Sequence, residues 1–170
     1  MEFRFAAAVV VGLVAAAFDM RTARIPNIVT FGGALAALVY AVIVGGIGGL
    51  TEASAAWFIG AALFFPIFAL GGMGAGDVKL LAALAAWLGP ADAVWLAMFA
   101  SIAGGVLGVI VALSRGYLRQ ALANVWLMIT HWRVMGVRPI EGFTLRDTKA
   151  PRLAYAIPIT IGVLCTLWRR

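Results

Sequence analysis

One cysteine, one histidine and seven acidic residues are all that 170 residues carry of the side chains most catalytic centres draw on. A lone Cys165, inside an apolar run, rules out an intramolecular disulfide and a Cys-x-x-Cys metal site. A lone His131 rules out zinc chemistry of the His-Glu-x-x-His kind. Serine chemistry would have to pair His131 with Ser54, Ser101 or Ser114, none of which sits in a recognisable nucleophile motif. No metal and no cofactor are expected. Charge is also scarce, at 12% of residues, too little to coat a soluble domain.

What the chain has instead is apolar sequence: 64% hydrophobic residues and a mean hydropathy of +1.04, against roughly 45–50% apolar residues in soluble domains. Such a chain is a polytopic membrane protein. Lipid leaves backbone groups no outside partner, and the long apolar runs suit helices, so the expected class is all-α. At about 20 residues per crossing there is room for about six transmembrane helices and one modest loop, hence a single domain over 1–170. The net charge of +6 arises from basic residues in short loops between apolar runs. That pattern belongs to membrane topology, so membrane lipids are the expected surroundings and nucleic acid is not an expected partner.

In chain order, residues 5–18 form a first apolar run ended by Asp19. The run would also suit a signal-peptide core, with Ala15-Ala16-Ala17 as a cleavage-like site. Residues 1–4 have no net positive charge, however, and a retained first helix is the expectation. In the basic loop 20–27, Pro26 stops helix continuation and Asn27 is placed to cap the next helix. Residues 28–44 are the second crossing. Gly45, Gly46, Gly48 and Gly49 break the pattern, and residues 51–54 read as a turn into a third crossing at 53–70, which Pro66 is expected to kink. A fourth, short segment covers 78–88, with Ala91-Asp92 as a turn. The fifth covers 93–113, where Gly104 and Gly108 have the spacing that lets helix backbones approach. Residues 114–152 form a long basic loop containing a stretch, 117–135, interrupted by Arg119, Gln120, Asn124, His131 and Arg133. It reads as an amphipathic helix lying on the membrane, with a seventh crossing as the competing reading. The last crossing, 153–168, is expected to bend at Pro158.

Six crossings place loops 20–27, 71–79 and 114–152 on one side with ten of the thirteen Lys and Arg residues, leaving Arg4, Arg169 and Arg170 on the other. The richer side is assigned to the cytoplasm. The terminal arginine pair is then an exception without an explanation. Asp19 and Asp77 fall at the same cytoplasmic boundary, Glu52 and Asp92 at the opposite one. A carboxylate within a membrane segment costs roughly 2.5–3.5 kcal/mol on insertion scales, which makes each a functional candidate. Two carboxylates brought together in a partly desolvated site do not both ionise cheaply, so one holds a proton while the other stays charged, the arrangement that activates water in aspartic proteases. Gly74 and Gly76 remove side chains just before Asp77 and open its backbone to a peptide or to the second helix. Lys79, two residues from Asp77, points to a different face and reads as an interfacial cation or as part of the site's electrostatics. Two rival readings use the same residues. One is a small transporter whose aspartates carry protons or a cation. The other is a scaffold in which Asp77 only caps a helix.

Gly74-Ala75-Gly76-Asp77-Val78-Lys79-Leu80, joined to Asp19 and its following Ile25-Pro26-Asn27, resembles the GxGD type IV prepilin peptidases. The compact length is similar to the small members that serve Flp/Tad-type pili and to the preflagellin peptidases. The Leu153–Pro158 stretch is similar to a family segment, less specifically. The resemblance implies an aspartic endopeptidase of the cytoplasmic (inner) membrane. It would remove the basic leader of a prepilin at the cytoplasmic face, next to the substrate's hydrophobic N-terminal helix. Asp19 and Asp77 take the two catalytic positions, with Gly74, Gly76, Lys79, Pro26 and Asn27 around them. The chain lacks the paired cysteines of larger members, so the resemblance carries no zinc, and it leaves N-methyltransferase activity open.

Overall fold

The computed structural model describes residues 2–136, 138 and 153–170. These form six helices: α1 Glu2–Thr22, α2 Asn27–Ala69, α3 Ala75–Leu88, α4 Pro90–Ser114, α5 Leu118–Met135 and α6 Ala156–Trp168. The all-α expectation holds. Three of the helices, α1, α2 and α4, are long and apolar enough to cross a membrane. α3 and α6 have 14 and 13 residues, roughly 20 Å at 1.5 Å per residue, short of a hydrocarbon core of about 30 Å. The count of six crossings is therefore met only in part by helix lengths.

α2 runs 43 residues as one unit with a single interior departure from helical geometry, at Gly46 (φ 57°, ψ −143°). Its contacts show what that departure does. Trp87 of α3 donates its indole N–H to the Gly33 carbonyl at 3.0 Å, while a Cβ on Gly60 would meet Ala82 and Ala85 of the same helix at 3.1 and 2.8 Å. In a straight helix residues 33 and 60 would stand roughly 40 Å apart; here both rest on one short stretch of α3. The chain must fold back at Gly46, so that two antiparallel arms flank α3. At the fold a Cβ on Gly49 would strike the Ala41 carbonyl, eight residues earlier. Only glycine takes this φ/ψ combination without strain. The second and third runs of the sequence are thus these two arms, but the break is confined to Gly46 rather than extending through residues 51–54. The backbone stays helical through Pro66, where a kink was expected.

α3 is the core of the molecule. Every residue from Leu80 to Leu88 is buried, which is why this segment is apolar around its whole circumference rather than along one stripe. The two arms of α2, with α1, α4 and α6, surround it. A single residue, Gly89 (φ 100°), links α3 to α4. Ala91 and Asp92 lie in the first turn of α4 behind Pro90 and do not form the separate turn expected, since proline at the first helical position loses no bond the helix would have made.

α6 packs along α4, where a Cβ on Gly162 would lie 2.9 Å from the Ala100 nitrogen. It starts at Ala156, so Pro158 falls in its first turn, where proline is tolerated, and does not bend a longer helix as expected. Of the Gly104 and Gly108 pair, Gly104 seats the Tyr155 ring while Gly108 faces open space. α5 occupies the expected amphipathic stretch and, among the described helices, touches only α4. Residues 137 and 139–152, which include Arg146, Lys149 and Arg152, lie outside the described residues.

Candidate active site

Asp19 lies in the last turn of α1, where the partial negative charge of the helix end disfavours a carboxylate. The structure supplies the compensation from elsewhere. Asp19 Oδ2 accepts a hydrogen bond from the Ala156 amide at 3.1 Å, at the start of α6. An α-helix leaves its first N–H groups unpaired and carries partial positive charge there, so this buried carboxylate meets a favourable dipole as well as a donor.

Asp77 is held by its own helix. It occupies the third position of α3, and its Oδ2 accepts from the Gly74 amide at 3.2 Å. A Cβ on Gly74 would lie 3.0 Å from that oxygen, so the bare α-carbon makes room for the turn. Gly76 serves a neighbour instead: a Cβ there would come 3.4 Å from Ile25. The backbone opened by Gly76 is thus covered by the loop between α1 and α2.

That loop sets the position of α2 against α3. Pro26 is the residue before the first turn of α2, in extended conformation (φ −61°, ψ 139°) and with no side-chain cap. Asn27 does not cap the helix as expected; its side-chain oxygen accepts from Lys79 Nζ at 3.1 Å. The ammonium also stands 4.9 Å above the Phe31 ring. Lys79 therefore points away from Asp77 and clips α3 to α2, as the two-residue offset implies.

Asp19, in the last turn of α1, and Asp77, in the first turn of α3, stand at the same end of the bundle, with Ile25 of the loop after α1 packed on Gly76 beside Asp77. Ala156 is bonded to Asp19, and Tyr155 stands directly before it; burial first, and the charge of Asp77 second, push the Tyr155 hydroxyl above its ordinary range. The Tyr155 ring packs on Gly104 and edge-on against Phe64 at 6.1 Å, so its direction is fixed by two helices. Sequence reasoning gave Tyr155 no role. Its signals were a polar aromatic residue standing directly before an apolar helix and its place in the Leu153–Pro158 stretch.

Asp92 is equally buried but differently employed. It forms ion pairs with Arg169, at 3.0 Å, and with Arg170; Arg170 also donates to the Leu88 carbonyl at 3.3 Å. Asp19 meets the start of α6 and Asp92 meets its end, so the length of that helix, roughly 20 Å, lies between them. Asp92 is a neutralised anchor at the opposite end of the bundle. The terminal arginines, unexplained from sequence, are its counter-ions.

The chain matches the model of the type IV leader peptidase family over residues 6–109, well over half its length. It belongs to that family. The match spans Asp19, the 25–27 loop and the Gly74–Asp77 turn, and ends before the helix that tethers Asp19. No curated protein and no solved structure matches the chain. Family membership and buried carboxylates among membrane-spanning helices support an aspartic-peptidase type of activity in a polytopic membrane protein. Among the described residues no cluster of His, Cys, Asp and Glu could hold a metal ion.

Proposed function

We propose that the chain is a prepilin leader peptidase of the small Flp/Tad-like kind, a single domain in the inner membrane, with Asp19 and Asp77 as its catalytic pair. The observation that carries this reading is the placement of the two carboxylates at one end of the bundle, each held by a backbone amide on one oxygen. One carboxylate takes a proton from water as the water oxygen attacks the scissile carbonyl; the other, protonated, gives its proton to the departing amine as the C–N bond breaks. The proton belongs to the pair, so neither residue is permanently acid or base. Gly74, Gly76, Pro26, Asn27 and Lys79 act as the supporting frame.

The proposed topology has six passes, counting the arms of α2 separately and α3 and α6 as short passes inside the bundle. The end bearing the aspartates faces the cytoplasm, in line with ten of thirteen basic residues. Pairing of Arg169 and Arg170 with Asp92 supports this by giving the two exceptions a partner. A cytoplasmic end suits a substrate whose basic leader precedes an apolar helix: the leader stays in water while the helix enters from the lipid.

The test is cleavage of a prepilin with a basic leader by purified protein in detergent or lipid, with Asp19→Asn and Asp77→Asn compared with wild type. Each variant, folded, loses cleavage by a factor of about 10² or more. Retained cleavage in either one defeats the dyad. Ion flux through proteoliposomes, lost in the same variants and without peptidase activity, would establish the transport alternative.

A further inference from the structure

One cavity of the bundle lies away from the aspartates. It measures about 330 Å³ and lies beside the C-terminal end of α3, under the fold in α2, with Arg4, Tyr40, Val44, Glu52 and Trp87 among its lining residues. From Asp77 to Gly89 the chain rises roughly 18 Å along α3, so cavity and candidate active site occupy opposite ends of the protein.

Two opposite charges share this cavity without neutralising each other. Arg4 Nε is buried and has no hydrogen-bond partner among the described residues. Glu52 forms no ion pair among the described residues; its Oε1 sits beside the α-carbon of Gly89, 3.5 Å from where a Cβ would stand. A buried donor of a charged group left unpaired is costly. Arg4 Nε lacks an acceptor among the described residues, and the exposed carboxylate of Glu52 in the same cavity lining is open to a cation, so a molecule carrying both charges fits the two ends.

The surroundings restrict which molecule that is. Tyr40 and Trp87 pack as a tilted pair, 5.7 Å between centroids, aromatic residues of the kind found at headgroup depth. Val44 lies on the rim, and with Ile43 and Ile47 beside it the fold of α2 presents bare apolar surface outward. We infer that this cavity binds the headgroup of a zwitterionic phospholipid, its phosphodiester on Arg4 and its ammonium on Glu52, with acyl chains running out past Val44. The inference stands apart from the peptidase reading, since it uses none of the same residues.

The experiment is native mass spectrometry of the delipidated full chain in detergent, titrated with phosphatidylethanolamine, phosphatidylglycerol and chain-free glycerophosphoethanolamine. Phosphatidylethanolamine should bind about tenfold more tightly than phosphatidylglycerol, a charge-assisted bond's worth of discrimination. Glu52→Gln should erase or reverse that preference by removing the ammonium site, and Arg4→Gln should weaken both lipids. Val44→Trp at the exposed rim, which leaves the fold's core untouched, should block binding at an unchanged melting temperature. Equal binding of the two lipids by wild type, or unchanged preference in Glu52→Gln, overturns the proposal. Glycerophosphoethanolamine binding as tightly as the lipid overturns the lipid as occupant.

Discussion

The carboxylate of Asp19 is bonded to the backbone amide of Ala156, 137 residues further along the chain. The first and last described helices are thereby joined at the candidate active site, and Asp19 has a structural duty besides any chemical one. The two duties separate by substitution. Asn at position 19 keeps an oxygen for the Ala156 amide, whereas Ala removes it and leaves a buried helix N-terminus short of an acceptor. Asp19→Ala should lose about 1–2 kcal/mol more stability than Asp19→Asn, read by thermal unfolding in detergent. Equal unfolding of the two would mean the bond holds nothing.

Tyr155 and Gly104 offer a second probe of the same junction. The ring lies so close to Gly104 that any side chain there displaces it. Gly104→Val should shift the start of α6, costing about 1–3 kcal/mol and reducing leader cleavage beyond what instability explains. Gly108→Ala, four residues on and facing open space, is the matched control and should be near neutral in both measurements.

Asp92 provides the opposite dissociation. Its carboxylate is buried, but its two arginines are about a third exposed, so the cost of breaking the cluster falls below the usual 3–5 kcal/mol for a buried pair. Asp92→Asn should lower stability by about 1–3 kcal/mol and leave the cleavage rate per folded molecule unchanged. A loss of cleavage comparable to that of Asp77→Asn, in a protein that still folds, would bring Asp92 into the chemistry.

A shared proton also makes a kinetic prediction. If the pair works only in its singly protonated form, kcat/KM for leader cleavage should fall on both the acid and the alkaline side of an optimum. A flat alkaline limb would assign the acid's work to another group, with Tyr155 the first to examine by substitution with Phe.

Much of this arrangement could be read before any coordinates. Asp19 and Asp77 could be paired because membrane topology is arithmetic: two crossings between them return the chain to one face. The glycine run could be recognised as a break for the same reason that lipid makes irregular backbone conspicuous. What the sequence did not reveal were contacts made at long range and without periodicity. The tether from Asp19 to Ala156, the Tyr155 ring on Gly104 and the arginine pair on Asp92 each join residues 50 or more positions apart. Two helix starts differ from expectation for a local reason: the Ala91-Asp92 turn is the first turn of α4 behind Pro90, and Pro158, expected to bend a longer helix, falls in the first turn of α6.

The fold of α2 at Gly46 can be tested at single-residue resolution. Gly46 alone in that helix holds a positive φ, in a region where a β-carbon collides with its own backbone. Its neighbour Gly45 has helical geometry and open space around it, so alanine there should be neutral or stabilising by up to about 1 kcal/mol. Gly46→Ala should instead cost about 1–3 kcal/mol and, by forcing the arms apart, loosen their grip on α3. Gly49→Ala should destabilise as well, as only the folded-back helix brings a β-carbon at position 49 against the Ala41 carbonyl, eight residues earlier. Gly49→Ala without cost, together with Gly46→Ala as stable as Gly45→Ala, would mean a straight helix, and a straight helix could not touch α3 at both Gly33 and Gly60.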